Sequence, residues 1–201
     1  MAGPTQVHAP LYISSRSADV ILSDIRPTKL NIDALQSINV LLDEFLYNIL
    51  SVARSLATDQ LRAGLHKVLP TALGKEALLE AEVELRAHWE RTGSAAGSGS
   101  SHSRNAEKGA NFHLQWMFEL LRLKCEAYST LSDTDEDPEA ESRLYERMDV
   151  DGVTPPKEAL LTPAALYLTA ILESVCENVL SNVGRVATRD SSRTTANVQD
   201  L

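Results

Sequence analysis

The side chains best suited to nucleophilic or metal chemistry in this chain are two cysteines, Cys125 and Cys176, and five histidines. No cysteine and histidine fall together at the spacing a zinc site needs. Both cysteines lie in apolar stretches that read as helices, where a thiol acts as a small hydrophobe. His102 and His113 are isolated and read as surface residues. The best carboxylate pair, Glu173 and Glu177, is one helical turn apart, a spacing common on any solvated helix face. No glycine-rich phosphate loop and no Ser/His/Asp constellation is present. These residues predict no catalytic site, no metal, no cofactor and no small-molecule substrate.

The elements that position these residues read as helices. Aromatics make up only 5% of the 201 residues, so the core is built from Leu, Val, Ile and Ala. Apolar residues at helical spacing mark a first long helix over Ile32–Arg54, with Asn31 as its N-cap. A short helix follows from Thr58, with Leu61, Leu65, Val68 and Leu69 inward, and Pro70 stops it. A third begins at Thr71. Beyond a Gly/Ser-rich linker over 92–110 come a helix over Phe112–Tyr128 and a last long one over Pro163–Arg189, with Thr162 as its N-cap. Residues 1–18 read as a disordered tail. The apolar run at Val20, Ile21, Leu22 and Ile25 suits either a short strand or one helical turn.

Charge is unevenly spread. The chain carries −9 overall, yet Asp133 to Asp151 alone holds nine acids against Arg143 and Arg147, a net −7. The rest is a nearly neutral body. Neither part suits a general polyanion binder. The segment 129–158 is expected to be a solvated acidic insert whose removal leaves the fold intact. Two distant cysteines without a secretory signal fit an intracellular protein, with nucleus and cytoplasm left open. No window of about 18 uncharged apolar residues occurs, so no membrane span is expected.

A long helix, a tight loop and a short helix recur in both halves, and their sequences carry a resemblance. Leu61 to Leu85, LRAGLHKVLPTALGKEALLEAEVEL, resembles the last fold helix of a 2B-type histone, its Leu-Pro break and its extra C-terminal helix. Val68, Leu69, Pro70, Leu73, Lys75 and Ala77 carry most of that signal. Leu166 to Gly184, LYLTAILESVCENVLSNVG, resembles the central helix of a 2A-type histone, through Ala170, Leu172, Glu173 and Gly184. The ending RTTANVQDL is similar to the second loop and third helix of core histones. The order, 2B-like then 2A-like, is similar to the tandem module of the Son of Sevenless family and to a segment of large ankyrin/BTB proteins.

The resemblance implies an all-α tandem histone fold, with units over 19–91 and 111–201 paired within one chain. The last helix would be truncated at Leu201. It implies a dimer core centred on Leu42, Phe45, Ile49, Ile171, Val175 and Val179. It implies a loop-helix pair between Arg193 and Asp200. Glu80 and Glu173 match positions of the histone acidic patch, and Glu177 adds charge, whereas Ala72, Asn178 and Ser181 are neutral there. Arg54, Arg185 and Arg189 are the candidate DNA contacts. The expected function is a non-enzymatic module for histone-type dimerisation with protein partners, a scaffold or regulatory part of a larger protein. Chromatin or DNA association is the alternative. A membrane-surface role is the weakest, because no dense basic patch is visible.

Overall fold

A computed structural model describes residues 9–24, 26–93, 112–189 and 194–201. The described residues form seven α-helices and a two-residue parallel strand pair. In order these are α1 (Ser15–Ser23), β1 (Lys29–Leu30), α2 (Ile32–Ala53), α3 (Thr58–Val68), α4 (Ala72–Thr92), α5 (Leu114–Tyr128), α6 (Pro138–Val150), α7 (Glu158–Ala187) and β2 (Thr195–Ala196). A short 3-10 turn, Val198–Asp200, follows.

Side-chain caps close the N-terminal ends of α1, α2 and α6. Asn31 caps α2, its side chain accepting from Asp33 N–H at 3.0 Å, and Asp33 faces the positive helix end. Arg54 ends α2 in the left-handed region, at φ 48°. α3 starts at Thr58 as expected, and its N-cap, Ala57, gives no side-chain bond. Gly74 is forced by sterics. A Cβ there would lie 2.1 Å from the Leu69 carbonyl oxygen, so the chain can fold back past Pro70 only without one.

Two long helices organise the core. α7 packs most extensively along α4 and then α5, while α2 packs on α3 and α5. β1 pairs in parallel with β2, Leu30 opposite Ala196. The start of α2 therefore lies beside the end of α7. At the other end α3, which follows α2, packs on α7 near Tyr167, whose hydroxyl is pushed up by burial and pulled back by Arg62. The two long helices thus run in opposite directions. By length and composition α7 is apolar enough to cross a bilayer, but 67% of its most apolar window is buried inside this fold.

Four sequence expectations need correction. Residues 9–18 are not a tail. Tyr12 and Ile13 are 2% and 1% exposed, and α1 starts at Ser15 under a Ser14 cap. The polar run Ser-Ser-Arg-Ser hides a short amphipathic helix that buries Ala18 and Leu22. Residues 1–8 lie outside the described residues, as do 94–110 of the linker. The ambiguous run at 20–25 is helical as far as Ser23.

The acidic insert is also structured. Asp137 caps α6 by accepting from Ala140 N–H at 2.9 Å, Pro138 occupies the first turn, and Glu139 and Glu141 sit at the positive end. Met148 is fully buried and Val153 nearly so. Lys124 of α5 meets Glu141 at 2.9 Å, and Arg147 lies over the Trp116 ring, 4.9 Å from its centroid. α7 begins at Glu158, a turn earlier than expected, with Pro163 inside it. That extra turn buries Leu161, and the Thr162 hydroxyl bonds Glu158 instead of capping. The last residues form a single 3-10 turn, in which Asn197 N–H donates to Asp200 Oδ2 at 2.8 Å.

Candidate functional site

The residues expected at the pairing core divide by burial. Leu42, Ile49, Ile171 and Val175 are buried; Phe45 and Val179 are half-buried at its rim. They share one continuous apolar core that also holds Leu46, Leu50, Leu168 and Leu172. Ladder and turn close one end of it, where Asn31 Nδ2 donates to Asn197 Oδ1 at 3.3 Å. Asp200 is buried and faces the Asn197 amide. Its expected partner, Arg193, lies outside the described residues.

Glu80 of α4 and Glu173 of α7 lie within electrostatic reach of Glu177 on α7. Glu177 is exposed, yet its carboxyl is raised above the ordinary range, first by desolvation and then by repulsion from Glu80 and Glu173. The three acids expected at the patch are thus close enough to feel one another. They are not equivalent. Glu173 Oε1 accepts from the Thr130 N–H and from Thr130 Oγ1 at 2.8 Å, with Ser129 Oγ 3.3 Å away. It ties the chain leaving α5 to the middle of α7, while Glu80 and Glu177 face outward. Also on α4, Leu79 and Val83 are each 65% exposed and one turn apart.

The arginines do not gather. Arg54, Arg185 and Arg189 are all exposed. Arg54 ends α2 and the other two end α7. Because the helices oppose one another, these sites lie at opposite ends of α2, roughly 30 Å apart. Arg62 of α3 is paired with Glu82 of α4.

A polar network that the sequence reading missed holds the N-terminal segment against α2 and α5. Asn39, 3% exposed, accepts from Ile13 N–H and donates to the Ile13 and Leu35 carbonyls. Tyr12 OH donates to Asp43 Oδ1 at 2.8 Å. Arg122 reaches both Asp43 and Glu126 at 3.3 Å, and Glu126 accepts from Leu11 N–H at 3.0 Å. Burial raises the Glu126 carboxyl, and Leu11 N–H and Arg122 pull it back. The signals were an asparagine inside an apolar stripe and an Arg-x-x-x-Glu pair on α5.

The thiols offer little chemistry. Cys125 and Cys176 are both buried, and burial pushes each up to about 12, so both are protonated at neutral pH and poor nucleophiles. Among the described residues no group of three or more His, Cys, Asp or Glu side chains could hold a metal. No protein-family model matches the chain, and no curated protein sequence matches it.

Proposed function

We propose that this chain is a tandem histone-fold module, two units paired head to tail within one polypeptide, acting as a non-enzymatic protein-interaction scaffold. The parallel bridge of Lys29–Leu30 with Thr195–Ala196 carries the reading. It joins the loop before one long helix to the loop after the other, as head-to-tail pairing requires. The opposed directions of α2 and α7 and the packing of α4 along α7 support it further. The work of such a pair is the burial of apolar helix faces that neither half covers alone.

Partner binding is supported by the outer face of α4. Leu79 and Val83 stand exposed on the helix that also carries the exposed Glu80, a combination that suits a protein segment with apolar and basic side chains.

The test is to divide the chain between α4 and α5 and express the halves separately and together. Co-expressed halves should purify as a 1:1 helical complex, and each alone should be unfolded or aggregated, because α4 and α7 bury one another. Two halves that fold as stable monomers and do not associate would overturn the reading.

A further inference from the structure

Between α5 and α6 the chain reads Ser129-Thr130-Leu131-Ser132-Asp133-Thr134-Asp135-Glu136-Asp137. Four hydroxyls lie in this stretch, and the structure treats them unequally. Ser129 is buried, its Oγ donating to the Tyr12 carbonyl at 2.9 Å. Thr130 Oγ1 donates to Glu173. Ser132 Oγ donates to the Leu11 carbonyl at 2.7 Å and accepts from Thr134 N–H at 3.0 Å. Thr134 is different: it is partly exposed, and its hydroxyl has no partner among the described residues.

We propose that Thr134 is a phosphorylation site, modified by a protein kinase that selects acidic residues on the C-terminal side of its target hydroxyl. Asp135, Glu136 and Asp137 follow Thr134 directly, and all three are exposed. A kinase of this class reads such a run through basic side chains flanking its catalytic cleft, by charge complementarity. Kinase clefts also need the target in an extended segment. Residues 132–137 form neither helix nor strand, and no backbone amide from 133 to 137 donates to a backbone carbonyl among the described residues. Asp137 anchors the far end of the segment as the α6 cap, so the run is presented from a fixed point.

The chemistry balances with a nucleoside triphosphate as co-reactant. Thr134 Oγ1 attacks the γ-phosphorus, the bond from that phosphorus to the β,γ-bridging oxygen breaks, and the diphosphate leaves. The hydroxyl proton passes to the kinase's base. The product adds about −1.5 to −2 charges to the segment at neutral pH. No protein hydrogen bond is lost in forming it, so the fold survives modification. The modified loop becomes a denser anionic surface beside α6.

The test uses the full chain with an acid-directed serine/threonine kinase and magnesium-ATP. Sites are mapped by tandem mass spectrometry over the whole sequence, and phosphate incorporation is measured. The expected result is modification at Thr134, with incorporation lost in Thr134→Ala. The Asp135→Asn, Glu136→Gln double variant should be modified about tenfold more slowly, since charge-assisted contacts are removed. Circular dichroism melts of both variants should match the parent. Absence of incorporation in the folded parent would overturn the proposal. So would phosphate at another hydroxyl with Thr134 unmodified, or incorporation unchanged in Thr134→Ala.

Discussion

Asn39 grips Ile13 at both of its peptide groups, accepting from its N–H at 3.0 Å and donating to its carbonyl at 3.1 Å. Ile13 itself is 1% exposed. This one side chain converts a stretch without helix or strand into part of the core, because two buried backbone groups would otherwise lack partners. Asn39→Ala should therefore cost about 1–3 kcal/mol, the cost of leaving buried polar groups unpaired. Urea denaturation measures it. A loss below about 0.5 kcal/mol, the range of ordinary surface substitutions, would mean that residues 9–14 are detached in solution.

The packing of α6 makes a second prediction, opposite to what its charge suggests. Met148 is completely buried where α6 lies against the rest of the fold. Met148→Ala should destabilise by about 2–4 kcal/mol, through lost transfer energy and the cavity left behind. Removing 138–150 altogether should lower the melting temperature by several degrees and expose Trp116 to quenchers. A deletion variant that melts with the parent would return the segment to a solvated insert.

How much of this was legible follows from where the signal lay. The stripes of α2 and α7 were readable because a helix buried along its length repeats its apolar positions over many turns. Leu42, Ile49, Ile171 and Val175, which the resemblance placed at the core, lie on those stripes and are buried. α6 was hidden because its acids dominate the composition, while only Met148 is fully buried on it. Yet Asp137-Pro138-Glu139 was a helix start in plain view. α1 is short, and its first turn is serine and arginine, so composition suggested a tail where Ser14 caps a helix. Glu173 could be named as an acid on α7, but its bonds to Thr130 depend on a 43-residue separation that no periodicity reports.

The carboxylates on α4 and α7 give a pH prediction with a definite sign. Glu177 is raised by desolvation and by Glu80 and Glu173, so the folded state holds its proton more tightly than the unfolded chain. Its ionisation therefore opposes folding. The penalty is absent below the ordinary carboxylate value, grows as pH rises toward the raised value, and is complete above it. Glu177→Gln should be more stable than the parent at pH 7. The gain is small, at most about 0.5 kcal/mol, because solvent screens an exposed group. It should shrink below about pH 4, where the parent carboxyl is itself protonated. A gain of the same size at both pH values would show that charge repulsion is not its source.

The exposed arginines distinguish a protein scaffold from a chromatin module. Histone-type DNA binding rests on phosphate contacts, and each one contributes to the salt dependence of affinity. Here Arg54 stands at the end of one long helix, and Arg185 and Arg189 at the end of the other, on a chain of net charge −9. Three such contacts would limit the slope of log affinity against log salt to about −3. The acidic loop and α6 add long-range repulsion. Fluorescence anisotropy with a short duplex should show no binding tighter than about 10 μM at 0.1 M salt, which is the non-specific range. Micromolar or tighter binding that falls steeply with salt, and is lost in Arg54→Ala combined with Arg185→Ala and Arg189→Ala, would move the protein into the chromatin class. Binding that survives the triple substitution would instead mean that DNA is held through residues other than these three arginines.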